Sequence, residues 1–345
     1  MIKPQRLRAG DTVAIVSLSS GMGGEAKFKH RYQLGKSRLE TVFGLNVVTM
    51  PNALRGIEYL YKHPEARAAD LMQAFEDKCI KGIFCMIGGD DTIRLLPHIN
   101  FDTIRNNPKV FMGYSDTTAN HFMMYKAGLT SFYGPSILGE FAENAAMHEY
   151  TKHHVDAVLF NPCEELAIAP SPVWTSEFVE WSDKAKSQMP RAMTEDKKGY
   201  ELLQGTGTVQ GRLLGGCVDV LPMLVGTEIW PTREHWRDSI LFLETSEERP
   251  EPNSVKYILR GLAAQGILDC AGGIIFAKPY NEKFYDEYKQ VLLQVVKDEC
   301  GRSDMPIMYN VNFGHTAPMC VLPYGAALEI DCNTKSLRLI EAAVL

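Results

Sequence analysis

The sequence predicts an α/β fold, and three observations carry that expectation. Short β-favouring apolar runs alternate with helix-forming stretches through the first part of the chain. The run Ile83-Phe84-Cys85-Met86-Ile87 has no polar alternation, as expected of a strand covered on both faces of a parallel sheet. The chain has 345 residues, 45% hydrophobic and 23% charged, enough to build two domains around ordinary cores.

The elements follow in order. Thr12-Val13-Ala14-Ile15-Val16-Ser17 reads as the first strand, closed by the loop Ser19-Ser20-Gly21-Met22-Gly23-Gly24 and followed by a helix from about Phe28. Leu45-Asn46-Val47-Val48 supplies a second strand, Glu65 to Asp77 a helix, and Gly82 to Ile87 a third strand. Gly88-Gly89-Asp90-Asp91-Thr92 then makes a tight turn into a helix whose apolar face is Ile93, Leu95 and Leu96. Val110-Phe111-Met112-Gly113-Tyr114 is the next strand, with Ser115 at its end and a helix continuing through Ala119 to Tyr125.

From Pro162 to Pro190 the periodicity stops, and prolines, charges, Trp174 and Trp181 mark a linker or a loop bordering a site. A glycine-punctuated, β-rich region opens at Gly205, with strands at Ile240 to Leu243 and Gly273 to Phe276, and a helix from Ser254 to Ala264 between them. These changes divide the chain into an α/β unit over residues 1–165, a linker and candidate substrate loop over 166–204, and a second α/β unit over 205–345.

Composition narrows the function. Lys plus Arg number 36 against 42 Asp plus Glu, a net charge of −6 with no long basic run, which argues against nucleic acid as a partner. No stretch approaches the roughly 18 apolar residues that cross a bilayer, and the basic start at Lys3, Arg6 and Arg8 runs directly into the first strand without a secretory apolar region. No membrane association and a cytoplasmic location are the expectations. The 8 cysteines have no two-residue spacing that suggests zinc or a dithiol, so they are read as reduced, structural thiols.

Three residues stand out chemically. Ser115 lies between an apolar strand and a helix, where a nucleophile elbow holds its hydroxyl, although the letters are not G-x-S-x-G and a helix cap explains a serine equally well. Glu244 ends the apolar run Ile240 to Leu243, at a strand edge that suits either a ligand contact or a solvated turn. His315, in Asn312-Phe313-Gly314-His315-Thr316-Ala317-Pro318, is a candidate base or a structural histidine. Together they supply an oxygen nucleophile, an imidazole to accept its proton and a carboxylate to orient the imidazole. A non-catalytic nucleotide-binding module is an alternative, but Gly21-Met22-Gly23-Gly24 lacks both the G-x-G-x-x-G spacing and a Walker lysine.

Five segments, taken in order, resemble motifs of the LD-carboxypeptidase family of serine peptidases. They are Gly88-Gly89-Asp90, Gly113-Tyr114-Ser115-Asp116-Thr117-Thr118, Leu214-Gly215-Gly216-Cys217, Leu243-Glu244-Thr245-Ser246-Glu247 and Phe313-Gly314-His315. The likeness spans essentially the whole chain and is nearest to the microcin C self-immunity branch of that family. It implies a Rossmann-like parallel-sheet domain carrying Ser115, a mixed α/β domain carrying Glu244 and His315, and an active site at their interface.

It further implies Ser115 as nucleophile, His315 as general base and acid, Glu244 as its orienting carboxylate, and the Gly89 and Asp116 main-chain N–H groups as oxyanion donors. Gly88, Trp181, Trp174 and Glu247 are the implied substrate contacts, with Trp181 preferred over Trp174 for stacking on a nucleobase. Ser17 and Ser20, near the first strand, are further candidates to approach a ligand, though capping of their own loop is the simpler account. No metal or cofactor is implied, and a homodimer is. The substrate expected is a small peptide or peptidyl-nucleotide, namely a microcin C-like peptidyl or aminoacyl adenylate cut at its amide-type bond, as in self-immunity. The alternative within the family is a muropeptide losing its terminal D-alanine in cell-wall recycling.

Overall fold

The computed structural model describes residues 1–345 as two α/β domains built on two sheets. The first sheet has six strands in the spatial order Leu322–Pro323, Phe132–Tyr133, Val110–Gly113, Ile80–Cys85, Thr12–Val16 and Asn46–Thr49. The five N-terminal strands run parallel, and Leu322–Pro323 closes one edge antiparallel to Phe132–Tyr133. The central strands are buried along almost their whole length, which is why their sequences carry no polar alternation.

The strand order reverses at Thr12–Val16. Its first crossover leads to one edge at Asn46–Thr49, and the later ones build out on the other side from Ile80–Cys85. In open parallel sheets ligands bind beyond the carboxyl ends of the strands, where the order reverses. The loops at that end carry Ser19 and Ser20, then Gly88 and Gly89, then Ser115.

The second sheet has eight strands in the order Leu166–Ile168, Ser336–Leu339, Ala327–Asp331, Thr208–Cys217, Ile240–Glu244, Gly273–Ala277, Ile307–Val311 and Glu201–Gln204. Its middle four strands are parallel and its flanks antiparallel, so it is mixed. Glu244 ends one central strand and His315 follows the end of another, at the same edge of the sheet.

Several local expectations shift. The turn after Gly89 leads into a 3-10 helix, Thr92–His98, with Pro97 inside it, because proline has no N–H to give and its ring crowds the preceding turn. Both ends of the 166–204 segment are strands of the second sheet, and its middle carries the short pair Val173–Trp174 and Thr194–Glu195. All eight cysteines are free. No helix is long and apolar enough to cross a membrane.

Candidate active site

Ser115 sits between the Val110–Gly113 strand and the Thr117–Ala127 helix with φ of 62°, a left-handed conformation that a side chain bearing a Cβ adopts at a cost of roughly 1–2 kcal/mol. Such strain in a non-glycine residue persists where the surroundings enforce it, and it commonly marks a functional position. The turn lifts Oγ off the sheet edge and brings it 3.0 Å from His315 Nε2. His315 Nδ1 lies 2.7 Å from Glu244 Oε2. Glu244 is fully buried, and the backbone of Gly314 makes room for it: with φ of 81°, a Cβ there would stand 2.5 Å from Glu244 Oε2.

Serine, histidine and carboxylate therefore form one unbroken chain of hydrogen bonds, assembled from residues 200 and 71 positions apart. Burial alone would disfavour a charged imidazole, but the adjacent carboxylates Glu244 and Glu247 outweigh it and hold the His315 pKa well above its ordinary value.

The N–H groups of Gly89 and Asp116 donate to no acceptor within the protein, and Asp116 begins the helix whose N-terminal dipole favours negative charge. Gly89 is required by space, since a Cβ there would lie 2.3 Å from Ser19 Oγ. The Asp116 side chain is turned away and buried, accepting from Ser19 Oγ at 2.6 Å and from the Thr92 N–H at 2.9 Å. It thereby fixes the loops on either side of Gly89.

Above Ser115 opens a cavity of about 390 Å³, within the range of small-molecule pockets. Gly88, Gly89, Ser115, Glu247, His315, Ser20 and Trp181 all line it. Arg31 lies over the Trp181 ring at 4.4 Å. Trp174 does not reach the cavity: held in the strand pair with Thr194–Glu195, it is buried with the Lys278 ammonium 4.7 Å above its ring. Ser17 is also elsewhere, its hydroxyl donating to the Ala53 carbonyl at 2.8 Å.

Sequence reasoning missed several lining residues. Arg191 pairs with Glu143 through two nitrogens, and that carboxylate, which also faces His148, is drawn down to about 2 against the opposing effect of burial. Arg31 donates to Asn144 Oδ1 at 2.8 Å. Burial pushes the Glu140 carboxyl up; it accepts from the Ser136 N–H at 3.1 Å and lies beside the Tyr114 hydroxyl. Tyr133, also missed, accepts from the Ser115 N–H at 3.1 Å and donates to Glu244 Oε1. Apart from Ser136 with Glu140 and Glu143 with His148, these pairs join residues 18 to 113 positions apart, so no local spacing announces them.

Residues 13–134 match the N-terminal domain of LD-carboxypeptidases and residues 210–330 match the C-terminal domain. The chain belongs to the LD-carboxypeptidase family. It is a serine hydrolase by that membership, with its two α/β domains in the positions the family prescribes. Among solved structures it is similar to an MccF-like protein from Streptococcus pneumoniae in complex with AMP, at 37% identity and a TM-score of 0.88, covering 96% of this chain and 99% of that one.

The microcin C7 self-immunity protein MccF of Escherichia coli is 28% identical over 97% of this chain and 94% of its own length. A structure of MccF with aspartyl sulfamoyl adenosine superposes with a TM-score of 0.85 at 25% identity, covering 100% of both chains. A probable murein peptide carboxypeptidase of Bacillus subtilis is also 28% identical, over 99% of this chain and 95% of its own length.

Proposed function

We propose that this protein hydrolyses the amide-type bond joining an aminoacyl or peptidyl group to a nucleotide-like leaving group, as in microcin C-like adenylates, and so detoxifies them. The observation that carries this reading is that Trp181 and Ser115 line one cavity, so an indole able to stack on a nucleobase shares the space above the reacting hydroxyl. The AMP complex of the S. pneumoniae relative and the aspartyl sulfamoyl adenosine complex of MccF support it.

In this reading Ser115 Oγ attacks the acyl carbonyl while His315 Nε2 takes its proton, and Glu244 keeps Nδ1–H in place and balances the imidazolium. The Gly89 and Asp116 N–H groups receive the oxyanion. His315 Nε2 then protonates the departing nitrogen and, neutral again, takes a proton from the water that releases the acyl group from Ser115. Gly88 and Glu247 border the acyl side of the cavity. The proposal extends, on the family resemblance, to a cytoplasmic homodimer, which analytical ultracentrifugation and cell fractionation would read out.

The test offers an aminoacyl-sulfamoyl adenosine and an L,D-tetrapeptide side by side to the purified protein. Release of the sulfamoyl nucleoside, abolished in Ser115→Ala, is the expected result. Cleavage of the tetrapeptide alone would replace this reading with muropeptide recycling. Binding of the adenosine compound without product release, unaffected by Ser115→Ala, would instead point to a nucleotide-binding role.

A further inference from the structure

A second carboxylate reaches the histidine. Glu247 Oε2 lies 3.0 Å from His315 Nε2, the same nitrogen that stands 3.0 Å from Ser115 Oγ, while Nδ1 is taken by Glu244. A carboxylate accepts hydrogen bonds and cannot donate, so the Glu247 contact exists only when Nε2 carries a proton. With both nitrogens protonated the ring is an imidazolium and cannot take a proton from Ser115. Contact with Glu247 and service as a base are therefore alternatives at one atom.

No cation other than His315 pairs with Glu247, whose carboxylate otherwise meets only its own main-chain N–H. The groups facing His315 are Glu244 and Cys217 on adjacent strands, Ser115, Glu247 itself and the Tyr114 ring at 5.1 Å, and none is a cation. Tyr280 lines the cavity as a neutral phenol, its pKa raised by burial and by the Glu247 charge. Of the two cavity arginines, Arg191 is committed to Glu143 and Arg31 to Asn144, the Leu138 carbonyl and the Trp181 face. The hydrogen bond from His315, working against burial, draws the Glu247 carboxyl down to about 2, so it remains an anion. More than half of the Glu247 side chain is exposed, 56%, which leaves it open to a ligand.

We propose that Glu247 determines specificity by holding His315 idle in the free enzyme and releasing it to substrates whose acyl group carries a free α-ammonium. Aminoacyl compounds are then turned over in preference to Nα-acylated, peptidyl ones. The inference rests on the hydrolytic reading above and narrows its substrate class. The geometry permits it: the Ser115 and Glu247 oxygens, each 3.0 Å from one nitrogen, are no more than about 6 Å apart. The α-nitrogen of an aminoacyl group is two bonds, roughly 2.5 Å, from the carbonyl carbon under attack. An ammonium can thus occupy Glu247 while the carbonyl meets Ser115. The exchange balances: the ammonium replaces the imidazolium as the cation beside Glu247, one proton leaves Nε2 for water, and Nε2 then accepts from Ser115 Oγ–H. An amide nitrogen, carrying no charge, has no such claim on Glu247.

The sign of the pH dependence follows. The reactive histidine is the neutral one, and an anion at Nε2 raises its pKa, so the acid limb of kcat/KM moves to higher pH with Glu247 in contact and to lower pH without it. The experiment measures kcat/KM against pH for the wild type, Glu247→Gln and Glu247→Asp. The substrates are an aminoacyl-sulfamoyl adenosine and its Nα-acetyl derivative, with circular dichroism to check folding.

For the wild type at neutral pH, the free amine should be favoured by about tenfold or more. Glu247→Gln should bring the two substrates close together and lower the acid limb of kcat/KM for both by roughly one to three units, since that limb reports the free enzyme, while Glu247→Asp keeps part of the preference. Equal turnover of both compounds by the wild type, or a preference and limb unmoved in Glu247→Gln, overturns the assignment of Glu247 and leaves adenylate hydrolysis standing. Cleavage of neither compound overturns both.

Discussion

At the scale of single residues a phenol holds the serine and the carboxylate of the site in place. Ser115 is held at φ of 62°, and its N–H is satisfied by the Tyr133 hydroxyl, which in turn donates to Glu244 Oε1. One oxygen thereby ties the strained turn to the carboxylate that orients His315. Burial, reinforced by the Glu244 charge, keeps the Tyr133 pKa well above its ordinary value, so the hydroxyl stays a donor. Tyr133→Phe leaves a buried carboxylate oxygen and the Ser115 N–H without this partner, a loss of about 1.5–3 kcal/mol for a hydrogen bond to a charged group. Because Tyr133 touches no substrate, the expected loss is in kcat, about 10- to 100-fold, with KM little changed; steady-state kinetics that show only a KM effect would contradict this role. Ser115, Glu244 and His315 were visible in the sequence through the residues around them, above all Gly113-Tyr114-Ser115-Asp116 and Phe313-Gly314-His315. Tyr133 was not, because it sits in a two-residue strand and meets a carboxylate 111 positions away. Physical chemistry could have asked for a donor to Glu244, but no spacing names which one.

At the scale of elements, the cavity wall and the histidine loop are one construction. Thr175 and Ala317 form an antiparallel bridge with N–H to carbonyl distances of 2.7 and 2.9 Å, and the Ser171 N–H donates to Asn312 Oδ1 at 2.9 Å. The chain that clasps the His315 loop then runs on to Phe178, Val179, Glu180 and Trp181, all lining the cavity. Trp181 and the loop that carries His315 are thus joined through one strap of backbone, and both line the cavity. Base-to-aromatic stacking contributes about 1–3 kcal/mol. Trp181→Ala should therefore raise KM for an adenosine-bearing substrate by roughly 5- to 150-fold while Trp174→Phe leaves it unchanged, and parallel KM measurements decide between the two indoles. The contrast shows where the sequence was readable. Thr12–Val16, Ile80–Cys85, Val110–Gly113, Ile240–Glu244 and Gly273–Ala277 are buried inside their sheets, so burial wrote itself into composition. The strap has no such signature: Trp174 and Trp181 are both indoles among prolines and charges, and only the pairing of Val173–Trp174 with Thr194–Glu195 turns one of them inward.

At the scale of the molecule, the two domains share one fabric. A single cluster of 91 buried apolar residues runs through both sheets. The chain termini are laced together, with the Arg6 N–H donating to the Leu345 carbonyl at 2.9 Å, the Leu345 N–H donating to the Pro4 carbonyl at 2.9 Å, and Lys3 paired to Glu341 at 2.6 Å. Leu322–Pro323, late in the sequence, supplies the edge strand beside Phe132–Tyr133, and its neighbour Tyr324 donates through its hydroxyl to the Gly215 carbonyl at 2.6 Å. Phe122, on the helix that follows Ser115, stacks on Trp230 with the rings 5.6 Å apart. A site assembled from both domains needs them docked to within a fraction of an ångström, and this lacing supplies the rigidity that a flexible linker would not. The consequence is thermodynamic: neither domain can be lost without exposing a face of the shared core, so unfolding should be one cooperative event. All 4 tryptophans, at 174, 181, 230 and 236, lie in the second half of the chain, whereas far-ultraviolet circular dichroism also reports the helices Lys29–Thr41, Pro64–Glu76 and Thr117–Ala127. In a urea titration the tryptophan fluorescence and circular dichroism curves should share one midpoint, with loss of hydrolysis coincident with both. Two separated midpoints would mean that the domains melt independently and that the interface, rather than the shared core, is what holds Ser115 to His315.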